Sequence, residues 1–84
     1  MRLIFSETAW DEYQYWQTAN PKLTVRINAL LKECLRTPFH GTGKPEPLRG
    51  DLKGYWSRRI DQQHRLVYQP TNDGLLVAKC RSDY

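Results

Sequence analysis

The residues best suited to chemistry lie between Gly41 and Tyr68. This stretch opens as a glycine- and proline-punctuated loop carrying one carboxylate, Glu46, with Pro45 and Pro47 on either side. It closes as two strand-like runs that hold Arg58, Arg59 and Arg65. From Lys44 to Arg65, six Lys or Arg stand against three acids, Glu46, Asp51 and Asp61. A loop carboxylate opposite several fixed cations, with Tyr55 and Trp56 between them, suits a phosphodiester better than it suits packing. Arg58 and Arg59 are neighbours on a strand and so face opposite ways; only one can share the surface of Arg65. Alternation alone does not say which.

The totals are consistent with an acidic partner. Eighty-four residues make one small domain, spanning 1–84, with a modest core. The formal charge of +4 favours nucleic acid first and an acidic protein second. Cys34 and Cys80 lie far apart, without metal-ligand spacing and within apolar runs. They read as reduced, buried cysteines of a cytoplasmic protein. Met1 to Phe5 is too short for a signal or a membrane span. No glycine-rich nucleotide loop, metal-ligand cluster or catalytic serine is visible, and no cofactor is expected.

The remaining elements must position the basic stretch. Leu3-Ile4-Phe5 reads as a short strand. Ser6 is a good helix N-cap, and Ala9, Trp10, Tyr13, Trp16 and Gln17 follow at helical spacing, predicting a first helix to Ala19. Its aromatic stripe reads as packing. Asn20-Pro21 opens a second helix, with Leu23, Ile27, Leu30, Leu31 and Cys34 on one face, ending near Arg36. His40 to Pro47 is a structured loop, and Leu48 to Leu52 is read as a short strand. Gly54 to Ile60 alternates, with Trp56, Arg58 and Ile60 on one face and Tyr55, Ser57 and Arg59 on the other. His64 to Gln69 is the next strand. Pro70 to Gly74 is a hairpin turn, and Leu75 to Arg81 is a central strand. The fold class is α+β: a strand, then two N-terminal helices on one face of a three- to four-stranded, mainly antiparallel sheet whose other face is open.

Four blocks carry a family resemblance: Gly-Lys-Pro-Glu-Pro-Leu (Gly43 to Leu48), Gly-Tyr-Trp-Ser-Arg-Arg-Ile (Gly54 to Ile60), His-Arg-Leu-Val-Tyr (His64 to Tyr68) and Cys-Arg-x-x-Tyr (Cys80 to Tyr84). In this order they resemble the YoeB toxins of the RelE superfamily, from bacterial type II toxin–antitoxin modules. The resemblance implies a microbial-RNase-like fold and an mRNA endonuclease acting in the A site of the 70S ribosome. It implies neutralisation by a YefM-type antitoxin, operator DNA contacted only through that complex, and a possible homodimer. By position, Glu46 matches the family's general base and Arg65 its phosphate-stabilising residue. Tyr84 matches the C-terminal tyrosine of the site. Lys44, Arg49 and Arg59 match basic positions near the RNA. Asp83 stands where the family has a histidine acting as general acid.

Such a cut needs no metal when the RNA's own 2′-OH attacks phosphorus. It needs a base, cations on the phosphorane oxygens and an acid for the leaving oxygen. The prolines beside Glu46 limit its backbone, and the planar fork of Arg65 fits phosphate oxygens. Each has a plainer reading: a solvated loop acid, and a sheet-edge ion pair, with Glu46 as one partner. Arg58 reads as structural or ribosome-facing, His64 as structural and His40 as an exposed loop residue. An exposed Asp is ionised at neutrality and donates a proton poorly. Asp83 therefore supports an alternative, an attenuated toxin fold whose main role is antitoxin binding and co-repression. A gyrase-directed relative on the same fold ranks last. The antitoxin is expected to be acidic where it meets Arg58, Arg59, Arg65, Lys79 and Arg81.

Overall fold

The computed structural model describes residues 1–82. The chain runs β1 (Leu3–Phe5), α1 (Glu7–Ala19), α2 (Pro21–Arg36), β2 (Glu46–Pro47), a 3-10 turn (Gly50–Leu52), β3 (Trp56–Arg59), β4 (Arg65–Thr71) and β5 (Gly74–Ser82). The sheet has five strands in the order β1-β5-β4-β3-β2. Two expectations are corrected. The strand count rises to five because β1 joins the sheet, parallel to β5, and because β2 forms at Glu46. Leu48 to Leu52 is not a strand. Gly50, at φ +64°, starts a 3-10 turn there, closed by Lys53 N–H to the Gly50 carbonyl.

Both helices begin where a side chain can take an orphan amide. Ser6 Oγ accepts from Ala9 N–H at 3.0 Å. Asn20 serves twice: its own N–H donates to the Trp16 carbonyl, ending α1, and its Oδ1 accepts from Leu23 N–H at 3.3 Å, starting α2. Pro21 follows at the first position of α2, where its missing N–H costs nothing. The buried stripe Ile27, Leu30, Leu31 and Cys34 then meets Ala9 and Trp16 of α1 and Leu66, Tyr68, Leu75, Val77 and Cys80 of the sheet. Each large aliphatic side chain buried there contributes about 1.5–3 kcal/mol. Cys34 and Cys80 are free and buried, and desolvation pushes their thiols up to about 11 and about 12.

The outer edge of β5 has two successive partners. From Leu75 to Val77 it pairs with β1. Beyond that β1 has ended, and α1 side chains take over. Ser6 Oγ donates to the Ala78 carbonyl and Trp16 Nε1 to the Cys80 carbonyl, at 2.9 and 2.8 Å. Glu12 Oε1 accepts from the amides of Cys80 and Arg81, at 2.8 and 3.2 Å. Helix α1 thus stands in for the missing strand and leaves few β5 polar groups unpaired. Gly74 opens this strand at φ +147°, where a Cβ would sit 2.3 Å from the Arg2 carbonyl oxygen.

Candidate active site

The site forms on the sheet face opposite the helices, and strand register places it. Cross-strand partners share a face. Arg59 pairs with Arg65, Ser57 with Val67, and Glu46 with Ser57. Glu46, Arg59 and Arg65 therefore lie on one face of three adjacent strands. The register answers what alternation could not: Arg59, exposed, is the neighbour of Arg65. Val67 also pairs with Lys79, and Arg65 with Ser82, through irregular register between β4 and β5.

The loop before β2 is fastened to this face by its backbone. Arg59 N–H donates to the Gly43 carbonyl at 2.6 Å, and Arg65 Nη2 donates to the Lys44 carbonyl at 3.3 Å. Gly43, at φ +86°, comes so close that a Cβ would lie 3.0 Å from the Arg59 carbonyl oxygen. Lys44 itself takes φ +52°, an uncommon conformation for a residue with a side chain. Lys44 and Glu46 are exposed. Among the described residues Arg65 is not ion-paired to Glu46. Its Nε is buried and has no hydrogen-bond partner among the described residues. A buried donor of this kind favours any acceptor that reaches it, and a phosphate oxygen is such an acceptor. Arg49 is exposed at the start of the 3-10 turn and is not part of the β3–β4 ladder that pairs the two arginines. Asp83 and Tyr84 lie outside the described residues.

Arg58 is not part of this face. It is fully buried on the helix side, opposite Leu66. It therefore cannot face the ribosome or meet an acidic antitoxin segment. Arg81 packs toward α1, with its guanidinium 3.8 Å from the centre of the Tyr15 ring. The expected antitoxin-facing cations thus do not all form one surface: Arg59 and Arg65 share a face, and Lys79 pairs with Val67 on it.

The buried Arg58 organises the loop instead. Nε donates to Tyr68 Oη at 3.0 Å, and Nη1 to Glu33 Oε1 at 2.7 Å. Nη1 also reaches the Thr42 carbonyl at 3.3 Å; Nη2 donates to the carbonyls of Thr37 and His40. Tyr68 Oη donates to the Pro38 carbonyl at 2.6 Å. Burial pushes the Tyr68 hydroxyl up to about 12, so it remains a donor. Sequence reasoning missed Glu33 and Tyr68. The available signal was an arginine on the same strand face as Trp56 and Ile60.

Glu33 balances the charge. The Thr42 amide first, then the Thr42 hydroxyl and Arg58, hold its carboxyl below the ordinary 4.5. A depressed carboxyl stabilises the fold above its unfolded value and loses that contribution as pH falls through the folded one. Wild type is therefore expected to lose more stability than Glu33→Gln between about pH 5 and pH 3. Urea midpoints across that range check this; parallel curves would refute it.

His64 is structural, as expected. Its Nδ1 lies 3.2 Å from both carboxylate oxygens of Asp61, and its ring packs edge-on against Trp16 with centroids 4.8 Å apart. His40 is an exposed loop residue whose carbonyl serves Arg58.

The mixed sheet backed by a helical hairpin is a fold shared with solved toxins. Residues 5–84 match the family described as YoeB-like toxin of bacterial type II toxin-antitoxin system. Toxin YoeB of Escherichia coli strain K12 is 55% identical over 84 residues, covering 100% of both chains. A YoeB/ParE toxin from Agrobacterium tumefaciens superposes with TM-score 0.95 at 46% identity over 100% of both chains. The toxin of a YoeB–YefM complex from Staphylococcus aureus gives 0.91 at 41%, covering 100% of this chain and 98% of that one. A YoeB dimer from the same organism gives 0.93 at 40%, with the same coverage. The chain belongs to the YoeB-like toxins of bacterial type II toxin–antitoxin systems.

Proposed function

We propose that this toxin is a metal-independent endoribonuclease that cleaves mRNA in the ribosomal A site and so inhibits translation. The observation that supports it most is the register that sets Glu46, Arg59 and Arg65 on one face. Glu46 removes the proton from a ribose 2′-OH. The O2′ attacks the adjacent phosphorus, a P–O2′ bond forms and the P–O5′ bond breaks. The products are a 2′,3′-cyclic phosphate and a 5′-hydroxyl end, the leaving O5′ taking its proton from water or from the Tyr84 hydroxyl. Arg65 and Arg59 take the charge that builds on the phosphorane oxygens. Lys44 and Arg49 hold the flanking RNA backbone, and Tyr84 stacks on a base or bonds a phosphate oxygen. Ser82 pairs with Arg65 at the end of β5, which supports assigning site roles to Asp83 and Tyr84.

The partners proposed are a YefM-type antitoxin, the 70S ribosome with its mRNA, operator DNA through the antitoxin complex, and a second copy of the chain. The antitoxin and the homodimer are supported by the Staphylococcus aureus complex and dimer. The chain is proposed to act in the cytoplasm; no described helix is long and apolar enough to cross a membrane.

Primer extension on programmed ribosomes tests the activity. Cuts at A-site codons with wild type support it; none, at toxin in excess over ribosomes, refutes it. Asp83 favours a second reading, a fold weakened in catalysis that serves mainly as antitoxin-binding co-repressor. Asp83→His is expected to cleave faster than wild type by roughly one to several orders of magnitude, the scale of general acid catalysis. A variant that cuts no faster would remove that reading's support.

A further inference from the structure

We infer that Arg58, with Glu33 and Tyr68, is a positioning device for Glu46, acting through the loop that carries it. This rests on the nuclease reading above and adds residues to it. The loop from Thr37 to Pro45 has no ladder of its own, and little apolar burial holds it: Phe39 is 52% exposed and His40, Gly41 and Thr42 are all exposed. Its first half is instead wrapped around one guanidinium. The donors of Arg58 engage Tyr68, Glu33 and the carbonyls of Thr37, His40 and Thr42, so every nitrogen of the side chain is used. Glu33 closes the circle by accepting from the Thr42 amide and the Thr42 hydroxyl.

The second half of the loop is held from the other side of the same strand. Arg58 points to the helix face, while the Arg59 amide takes the Gly43 carbonyl and Arg65 takes the Lys44 carbonyl. Strand β2 pairs only with Trp56 and Ser57, so beside Arg59 the loop itself borders β3. The chain thus crosses the strand edge from a fixed anchor on one face to the reactive face. The anchor sets where Glu46 arrives. A shift of about 1 Å at a reacting group can cost 10²-fold in rate.

Tyr68→Phe is the sharp probe. It deletes the hydroxyl that bridges Arg58 and Pro38 but keeps the ring in the core. Single-turnover cleavage on programmed ribosomes is expected to fall roughly 10- to 100-fold, with half-saturating toxin concentration within about twofold, since uniform binding is untouched. In a Glu46→Ala background the same substitution is expected to have no further effect, because its route runs through Glu46. An equal loss in both backgrounds, or full wild-type cleavage by Tyr68→Phe, overturns the inference. Amide exchange decides independently of activity. The amides of Thr42 and Arg59 should exchange at least about tenfold faster in Tyr68→Phe, with Leu66 and Val77 unchanged. Unchanged Thr42 and Arg59 overturn the inference even where wild type proves not to cleave, a result that by itself removes only the nuclease reading. Glu33→Gln, which keeps an acceptor oxygen, should lie between wild type and Tyr68→Phe in both readouts.

Discussion

Arg65→Ala is expected to slow cleavage of A-site mRNA by about 10²–10³-fold, the usual cost of removing one preorganised donor from a developing oxyanion. Arg65 sits mid-face, opposite Arg59 and beside the loop, with its Nε buried and unpartnered among the described residues. Its stability cost should be small, because its described bond is a single 3.3 Å contact to the Lys44 carbonyl. Arg65→Lys should recover only part of the rate, since an ammonium lacks the fork that engages two phosphate oxygens together. Glu46→Ala should fall by a comparable factor of about 10²–10⁴ through loss of the base. Primer extension with single-turnover kinetics reads all three. Arg65→Ala cutting at the wild-type rate while remaining folded would break the assignment of this face as the active site.

The second large effect is on stability, and it separates two adjacent residues. Arg58→Ala is expected to destabilise the fold by about 3 kcal/mol, since a fully buried side chain is lost with its hydrogen bonds, those to charged groups being worth about 1.5–3 kcal/mol each. It takes this donor from three backbone carbonyls, and leaves Glu33 with only its Thr42 partners and the Tyr68 hydroxyl with only the Pro38 carbonyl. Domains of this size hold only about 5–15 kcal/mol in total, so much of the margin goes. Arg59→Ala, one residue on, should move stability by no more than about 0.5 kcal/mol, because its side chain is exposed. Urea unfolding of the two variants side by side is the measurement. Coincident midpoints would mean that the buried guanidinium is not what holds the loop to the sheet.

The fold was legible where local chemistry decides it. Ser6, Asn20 and Pro21 mark both helix starts because capping needs those side chains at those positions. The hairpin at Thr71 to Gly74 follows from turn residues between two apolar runs. Pairing over long distance was not legible. Nothing local in Leu3-Ile4-Phe5 says that it will lie parallel to Leu75–Val77, and nothing in Glu46-Pro47 says that two residues suffice for a strand. The same limit applies to the site. Glu46, Arg59 and Arg65 could be named from residue type and resemblance. Their shared face needed the register. Arg58 was left between a structural and a ribosome-facing role, because its burial depends on Glu33 and on loop carbonyls that no periodicity records. The cation set expected to meet the antitoxin was too broad for the same reason: Arg58 turns inward and Arg81 turns to Tyr15.

The parallel pairing of β1 with β5 has a consequence in time. Ser6 and Ala78, which meet at the end of that pairing, are 72 residues apart in the chain. On a ribosome adding about 5–20 residues per second, the first strand waits several seconds for its partner. Until then the helical hairpin has only part of its sheet to cover, and β5, the second strand that pairs with Arg65, does not yet exist. The five-stranded sheet therefore closes only when nearly all of the described chain has emerged. A nascent chain thus lacks the closed sheet, and a partner already present can meet the fold as it first closes.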